Sequence, residues 1–371
     1  MIKIDELISE LSPHGVEYKP LSHTAIISRG RVMSKDYLRE HAGIYPVYSS
    51  QTMNDGIFGY INNYDYDFES ITWTTDGANA GSVFYHNNEK FSITNVCGLI
   101  RVINDSELNT RFLYYLLQVT IKKYVNYGMG NPKLMSNVIS QIMIPIPPLP
   151  IQQEIVRILD NFTELSAELS AELSARKKQY EYYQNLLLHF DETKDPDVAW
   201  MTLGDICEKI ISGKNKSRAE NGKFPVYGST GIIAYSDSYN YTEPLLLVAR
   251  VGANAGFVHI PKGRYDVSDN TLIIKPKEGY DLSFAYYQLH NLKLNTLAVG
   301  GGQPLITAGK LKQLKIPIPP INEQLRIVSI LKKLDILCND IFFGLPAEIE
   351  ARQKQYEYYR DKLLTFKELS K

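Results

Sequence analysis

Cysteine is scarce in this chain, and no run of apolar residues is long. The three cysteines, Cys97, Cys207 and Cys338, lie far apart among 371 residues, which excludes a disulfide framework and a Cys-x-x-Cys zinc site. No stretch approaches the ~18 consecutive apolar residues of a membrane span, and no signal-peptide pattern follows Met1. The sequence therefore predicts a cytoplasmic protein that has no membrane partner.

An excess of charge of either sign is also missing. Lys and Arg together number 40, Asp and Glu number 41, and the formal net charge is −1. This balance excludes a uniformly basic nucleic-acid binder, but it is compatible with a local basic face.

The motifs of common DNA-modifying enzymes are absent as well. An amino-methyltransferase needs Asp, Asn or Ser before a Pro-Pro-aromatic run, whereas Ile146 and Ile318 precede the double prolines here. The Glu-x-Lys triplets at 17–19 and 192–194 lack the preceding Pro-Asp of a Mg²⁺-dependent nuclease. No His-x₃-His pair or Gly-x-Ser-x-Gly elbow occurs, although a Ser-His-Asp arrangement needs no contiguous motif. The sequence therefore predicts a chain without catalytic activity, metal or cofactor of its own.

An internal repeat dominates what the sequence does contain. Two copies of about 175 residues carry the same landmarks in the same order. The matching segments are Pro145–Pro148 with Pro317–Pro320, 178–183 with 354–359, 46–50 with 225–229, 77–81 with 252–256, 112–115 with 284–287 and 130–132 with 302–304. Two copies in one chain suit a target that is itself roughly two-fold, such as a DNA duplex.

Each copy begins with a globular part, over 14–144 and 191–316. Short β-forming segments alternate there with turn signals, which predicts a mixed α/β domain with helices near Arg111–Val119 and Leu282–Asn291. The repeated Gly-x-Asn-x-Gly element indicates a tight turn where two stretches of backbone come close. No Gly-Lys-Ser/Thr follows it, which disfavours a phosphate cradle.

Each copy ends in a long amphipathic segment, over 145–190 and 317–371. Apolar residues recur at steps of three and four, which is typical of a coiled-coil seam. A single helix cannot bury such a seam, so we expect the two to pair antiparallel, with the second broken at Gly344–Pro346. A short helical segment over 1–13 is expected to dock nearby. The predicted fold class is α+β, with two mixed α/β domains in pseudo-two-fold tandem, separated by two long antiparallel coiled-coil helices.

The proline motifs, with Gln152 and Gln324 behind them, and the Lys-Gln-Tyr-Glu-Tyr-Tyr runs carry a family resemblance. The whole chain resembles the specificity subunits of type I restriction–modification systems. The resemblance implies that 14–144 and 191–316 are target-recognition domains, each reading one half of a split double-stranded DNA sequence. It also implies a non-catalytic subunit that directs two methyltransferase subunits, which methylate adenine with S-adenosylmethionine, and two ATP-dependent restriction subunits. S-adenosylmethionine, ATP and Mg²⁺ are thus expected in the partner subunits.

The two globular parts, 14–144 and 191–316, are called the first and second head. Basic side chains cluster at comparable places in the two heads and are candidates for contacts with DNA phosphates. They are Arg29, Arg31 and Lys35 in the first head, and Lys209, Lys214, Lys216, Arg218 and Lys223 in the second. Beside the Gly-rich turns, Asn131, Lys133 and Gln303 are candidates for base contacts. The alternative interpretation is a solvated run of surface charge.

Two other functions remain open from the sequence. A stand-alone DNA methyltransferase or nuclease is opposed by the missing motifs, and it would turn over DNA alone. A structural coiled-coil adaptor is opposed by the two large heads, and it would show no DNA sequence preference.

Overall fold

The two copies of the repeat fold into the same order of strands. The computed structural model describes residues 2–128, 130–217, 219–300, 304–340 and 343–369. The chain forms two compact units: unit 1 is Met1–Glu168 with Glu350–Lys371, and unit 2 is Leu169–Ile349. Each unit therefore contains one head and parts of the long helical segments.

Unit 1 contains short strands and helices that lead to the first long helix. Its elements are α1 (Ile2–Leu11), β1 (Glu17–Pro20), α2 (Leu21–Thr24), β2 (Ala25–Arg29), α3 (Lys35–Glu40), β3 (Tyr45–Tyr48), β4 (Ile57–Ile61), β5 (Ser70–Thr74), β6 (Val83–His86), β7 (Ser92–Ile93), β8 (Cys97–Val102), α4 (Thr110–Thr120), α5 (Ser136–Ile139) and β9 (Met143–Ile146). Helix α6 (Leu149–Leu187) follows and contributes to both units.

Unit 2 repeats this order of strands, but among its described residues no helix corresponds to α3 between β11 and β12. Its elements are β10 (Ala199–Thr202), α7 (Leu203–Ile206), β11 (Cys207–Ser212), β12 (Phe224–Gly228), β13 (Gly231–Ser236), β14 (Leu246–Ala249), β15 (Val258–His259), β16 (Asp266–Val267), β17 (Thr271–Pro276), α8 (Leu282–Asn291), α9 (Ala308–Lys312), β18 (Lys315–Ile318) and α10 (Ile321–Asn339). Helix α11 (Leu345–Leu363) follows and packs mostly in unit 1. The helices α4 and α8 confirm the two that the sequence predicts in the heads.

Three sheets recur in each unit with the same strand order. In unit 1 they are a four-stranded antiparallel sheet β2-β8-β5-β6, a three-stranded sheet β4-β3-β7 and a pair β1-β9. The corresponding sheets of unit 2 are β11-β17-β14-β15, β13-β12-β16 and β10-β18. Even an irregularity is shared, because the register shifts after Val47 in one three-stranded sheet and after Val226 in the other. This correspondence confirms the predicted tandem of mixed α/β domains.

The four-stranded sheet has a hydrophobic core on each face. Along β8, Ile100 packs in the larger core with Trp73, whereas its neighbour Leu99 packs in the smaller core with Phe91. Successive strand residues point to opposite faces, so a strand between two cores is apolar throughout. All four residues of β14 are buried for this reason.

A buried glutamine fastens the first long helix to its head. Gln152 Nε2 donates to the carbonyl oxygens of Pro147 (2.7 Å) and Glu107 (2.8 Å). Its Oε1 accepts from the backbone N–H of Asn109 at 2.8 Å, and Asn109 is the N-cap of α4. One side chain therefore joins the start of α6 to the start of α4.

Gln324 repeats this fastener in unit 2. Its Nε2 donates to the carbonyl oxygens of Pro319 (2.8 Å) and Gly279 (2.9 Å), and its Oε1 accepts from the N–H of Asp281 (2.8 Å). Asp281 caps α8. The spacing from the double prolines to the glutamine is thus a structural device that occurs in both copies.

In unit 1 the first part of α6 packs antiparallel to α11. Phe162 stacks on Tyr359 with 5.7 Å between ring centroids and lies 6.3 Å from Tyr356. Earlier in α6, Leu159 shares a core with Leu363 at the end of α11. Moving forward along α6 therefore means moving backward along α11.

In unit 2 the second part of α6 packs antiparallel to α10. Tyr180 lies near Asp335, and burial together with that carboxylate raises the pKa of Tyr180. Further along the chain, Leu188 shares a core with Leu331 and Ile327. The antiparallel pairing expected from the seam is therefore present in each unit.

The second long helix is broken, as Gly344–Pro346 predicts. Helix α10 ends at Asn339, and α11 begins at Leu345. The Gly344 N–H donates to the Asp340 carbonyl at 3.1 Å, and a Cβ on Gly344 would lie 2.4 Å from the Ile336 oxygen. Only glycine lets the chain come this close to the end of α10.

The segment before β1 and the segment after α11 are hydrogen-bonded to each other within unit 1. The N–H of Val16 donates to the Lys367 carbonyl, and the N–H of Leu369 donates to the Val16 carbonyl, each at 2.9 Å. Helix α1 docks on the same core through Ile4, which is 1% exposed, as expected for the segment 1–13. None of the helices in the described ranges combines the length and apolarity needed to cross a membrane.

Candidate nucleic-acid interface

Loops gather at one end of the four-stranded sheet in each unit. Arg29 at the end of β2 pairs with Gly98 of β8, and Thr74 at the end of β5 pairs with Cys97. The loops that leave β2 and β5 and the loop that enters β8 therefore lie at the same end of the sheet. In unit 2 the end of β11, the end of β14 and the start of β17 lie at the corresponding end of the sheet. Many of the sequence-predicted site residues lie on these loops.

The Gly-x-Asn-x-Gly element forms a tight turn at this end of the sheet. In unit 1 the φ angles of Gly77 and Gly81 are +92° and +81°, a region that favours glycine. In unit 2 a Cβ on Gly256 would lie 2.4 Å from the backbone nitrogen of Asn295. The predicted tight turn with close backbone approach is confirmed.

A second loop, over 126–134, docks on the turn of unit 1. The Gly77 N–H donates to the Pro132 carbonyl at 3.0 Å, and the Leu134 N–H donates to the Thr75 carbonyl at 2.8 Å. These bonds bring the exposed Asn131 and Lys133 beside the turn. The sequence predicted both as candidates, and the fold places them together.

Asp76 links two of the predicted cations of unit 1. Its carboxylate lies 3.5 Å from Arg29 Nη2 and 3.9 Å from Lys133 Nζ. Arg29 Nη2 also donates to Thr75 Oγ1 at 2.9 Å and to the Asn95 carbonyl at 2.6 Å. Two cations share one carboxylate, so this cluster carries a net positive charge beside the turn.

The other two predicted cations of unit 1 have different surroundings. Arg31 donates to the Tyr37 hydroxyl (2.9 Å) and to Asp65 Oδ2 (3.1 Å), and these two bonds raise the pKa of Arg31 despite partial burial. Arg31 thereby joins its loop to α3 and to the loop of Asp65. Lys35 is exposed in the first turn of α3, where the helix dipole disfavours a cation, so its charge does not serve helix stability.

In unit 2 two predicted lysines flank a fixed residue. Asn215 Nδ2 donates to Asp266 Oδ2 at 2.8 Å, and the same oxygen accepts from Asn240 at 2.7 Å. Lys214 and Lys216, on either side of Asn215, are exposed. A loop with a fixed backbone thus presents two ammonium groups to solvent.

Two further candidates of unit 2 lie within a strand or next to one. Lys209 is half-buried within β11, opposite Lys275 of β17, and Lys223 is exposed just before β12. Arg218 and Gln303 lie outside the described residues.

Arg250 also lies at this end of the sheet, although its sequence context did not mark it as a candidate. It directly follows β14, and its Nη1 donates to Ser212 Oγ (3.3 Å) and to the Asp269 carbonyl (3.4 Å). Its Nε is buried and has no hydrogen-bond partner among the described residues. The only sequence signal was its place two residues before Gly252 in the repeated turn.

The cysteines are packing residues. All three are free and buried, and burial raises the pKa of Cys97 and of Cys207 to about 12. These two thiols are therefore protonated at neutral pH and are poor nucleophiles. In the described ranges no three His, Cys, Asp or Glu side chains are grouped so that they could hold a metal ion.

Comparisons with known proteins match nearly the whole chain. Residues 13–176 and 197–351 match a family described as the type I restriction modification DNA specificity domain. A putative type I specificity subunit of Mycoplasma pneumoniae is 33% identical over 355 residues, covering 93% of this chain and 96% of the relative. The type I restriction enzyme EcoR124I/EcoR124II specificity subunit of Escherichia coli is 33% identical over 377 residues, covering 92% and 86%.

Several solved structures show the same fold. The S subunit of a type I restriction–modification system from M. genitalium has a TM-score of 0.62 and 18% sequence identity, and the match covers 94% of this chain and 96% of that chain.

Proposed function

Because this chain belongs to the family of type I restriction–modification specificity subunits, we propose that each of its two units reads one half of a bipartite DNA sequence. The chain is the DNA-recognition subunit of such a system. Under this proposal it catalyses nothing itself, and it directs partner subunits that methylate adenine or cleave DNA.

One observation carries the bipartite part of the proposal: the two units present different side chains on the same loop scaffold. Asp76 bridges to Lys133 in unit 1, and Val251 bridges to Leu305 at the corresponding place in unit 2. Base recognition depends on which donors, acceptors and apolar groups are presented to a groove. A shared scaffold with different side chains therefore supports two different half-sequences.

The proposal assigns the reaction chemistry to other subunits. S-adenosylmethionine would be bound by two methyltransferase subunits, and ATP and Mg²⁺ would act in two restriction subunits. The missing enzyme motifs support this division. A subunit that reads chromosomal DNA would work in the cytoplasm.

The test is to co-express the chain with a cognate methyltransferase subunit and to map the methylated adenines by sequencing. We expect methylation at sites that consist of two short half-sequences separated by a gap of fixed length. Each subunit expressed alone is the control and should leave the DNA unmethylated. Methylation by one subunit alone, or at a continuous site, would refute the proposal.

A second arm of this experiment exchanges the first head. Replacing 14–144 with the corresponding segment of another specificity subunit should change one half-sequence and keep the other. Simultaneous change of both halves would show that the two units do not read independently.

A further inference from the structure

A guanidinium group occupies the same place in both units, although the two arginines lie on different strands. In unit 1 it belongs to Arg29 at the end of β2, and it reaches Thr75, which follows β5. In unit 2 it belongs to Arg250, which follows β14, and it reaches Ser212 at the end of β11. The arginine and the hydroxyl residue have exchanged strands.

The backbone bonds establish this equivalence. In unit 1 the N–H of the residue after β2 donates to the carbonyl of the first residue of β8, and the N–H of Thr75 donates to the carbonyl one residue earlier. In unit 2 the N–H of the residue after β11 and the N–H of Arg250 donate to the corresponding two carbonyls at the start of β17. The bonds are Gly30 N to Cys97 O (3.2 Å) and Gly213 N to Thr271 O (2.9 Å), then Thr75 N to Val96 O (3.1 Å) and Arg250 N to Asn270 O (2.9 Å). Arg29 therefore corresponds to Ser212, and Thr75 corresponds to Arg250.

Both guanidinium groups also donate to the same backbone carbonyl. The acceptor is Asn95 O for Arg29 (2.6 Å) and Asp269 O for Arg250 (3.4 Å). These two acceptors correspond, because Asn95 lies two residues before the start of β8 and Asp269 lies two residues before the start of β17. The position of the cation is thus kept, whereas the residue that supplies it is not.

Arg250 has no ion-pair partner among the described residues of its unit. The side chain is partly buried, and its Nη1 donates to two uncharged acceptors, Ser212 Oγ and the Asp269 carbonyl. Its buried Nε lacks a hydrogen-bond partner in the same ranges. Charged groups that lose water are normally paired. An unpaired, partly buried guanidinium beside exposed loops is therefore suited to bind an external anion.

We propose that Arg29 and Arg250 are equivalent anchors, each of which binds a phosphate of the DNA backbone. The proposal rests on the DNA-reading function and adds the residues through which both units engage the duplex. Phosphate contacts position a protein without reading sequence, so a shared anchor fits two units that read different half-sequences. The positions beside the anchor differ between the units: Asp76 and Lys133 in unit 1 correspond to Val251 and Leu305 in unit 2. Side chains at these positions would therefore contact different bases in the two half-sequences.

The experiment exploits the exchange that the chain itself contains. Arg29→Ser removes the cation of unit 1, and adding Thr75→Arg rebuilds it in the arrangement of unit 2. Binding of the assembled complex with the methyltransferase subunit is measured on DNA that carries the mapped target, over a series of salt concentrations. We expect Arg29→Ser to weaken binding about tenfold and to lower the salt slope by about one, because one phosphate contact is lost. The double variant should bind within about threefold of the parent. The mirror pair is Arg250→Thr with and without Ser212→Arg.

A brace between loops would behave differently from a phosphate anchor. Arg29→Gln keeps a hydrogen-bond donor toward Thr75 and Asn95 but removes the charge, so an anchor predicts the same loss as Arg29→Ser. Parental binding by Arg29→Gln would refute the proposal. So would unchanged binding by Arg29→Ser, or a double variant that melts like the parent yet fails to recover binding. If the parental complex itself shows no target preference, the DNA-reading function fails, and that result is separate from any effect of these variants.

Discussion

Replacement of Gln324 by Leu tests the most specific structural claim about the repeat. Gln324 is fully buried, and its amide makes three hydrogen bonds to the backbone of Pro319, Gly279 and Asp281. Leucine has a similar volume and fills the space, but it leaves two carbonyls and one N–H without this partner. Gly279 is exposed and its carbonyl can turn to water, whereas the bond to Pro319 is buried.

The expected loss of stability follows from these three bonds. A buried polar group left unsatisfied costs ~1–3 kcal/mol, and a partly exposed bond contributes ~0.5–1.5 kcal/mol. The added apolar surface of leucine offsets about 1 kcal/mol. The net loss is therefore about 3 kcal/mol, and a unit of this size should melt roughly 6–12 °C lower.

Calorimetric melting of the full chain measures this shift. Gln152→Leu is the matched change in unit 1, and the two losses should add because the sites lie in separate units. The exposed Gln313 provides the control, since Gln313→Leu should change stability by less than ~0.5 kcal/mol. A Gln324→Leu variant that melts like Gln313→Leu would show that the fastener has no net stabilising effect.

Three further predictions concern binding, acid stability and target spacing. Reversing the exposed Lys214 and Lys216 to Glu should weaken DNA binding by the assembled complex and flatten its salt dependence by about two units of slope; unchanged titrations would remove both residues from the interface. Burial lowers the pKa of His259 to about 4, below its unfolded value of ~6.5, so unit 2 should lose up to about 2 kcal/mol between pH 7 and pH 5 as the unfolded chain takes up the proton. His259→Phe, which copies Phe84 at the equivalent place of unit 1, should abolish this loss in denaturation at the two pH values, and an unaltered pH dependence would contradict the assignment. Inserting a further Ser-Ala-Glu-Leu after Leu173 lengthens α6 by ~6 Å, more than the ~3.4 Å of one base-pair step. The methylated sites should therefore keep both half-sequences and widen the gap by about one base pair, and an unchanged gap with full activity would show that α6 does not set the spacing.

Local signals in the sequence predicted several elements of the fold. Helix α8 has the predicted bounds Leu282–Asn291, and the break after α10 falls at the predicted Gly344. Caps, turns and apolar periods act over a few residues, so a single sequence contains them. The hydrogen bonds of Gln152 and Gln324 were not predicted, because some of their backbone partners are distant in sequence and come into reach only through tertiary packing.

The surroundings of the candidate residues could be predicted only in part, because they too depend on tertiary packing. Arg29 and Lys133 were selected from the sequence, but their common carboxylate, Asp76, becomes visible only when the loop over 126–134 docks on the turn. Arg31 looked like a free cation, yet it bonds Tyr37 and Asp65 within unit 1. Motif alignment compares like positions, so it sets Arg29 beside Ser212 and hides a guanidinium that arrives from another strand.

The packing of the helix halves explains how a linear duplication yields two equivalent units. Each unit takes the first half of a long helix from its own copy and the second half from the other copy, since α6 begins in unit 1 and ends in unit 2. In unit 2 the chain leaves α6 and continues through 188–198 into β10, which pairs with β18. In unit 1 the chain leaves α11 and reaches Glu368 beside Val16, the residue before β1, and β1 pairs with β9 in the corresponding register. The same connection is thus covalent in one unit and made by backbone hydrogen bonds in the other. The two units therefore share one framework of strands and long helices, and they differ in α3, which unit 1 alone has among the described residues, and in the side chains on their loops. We expect differences in what the two units recognise to arise at these places.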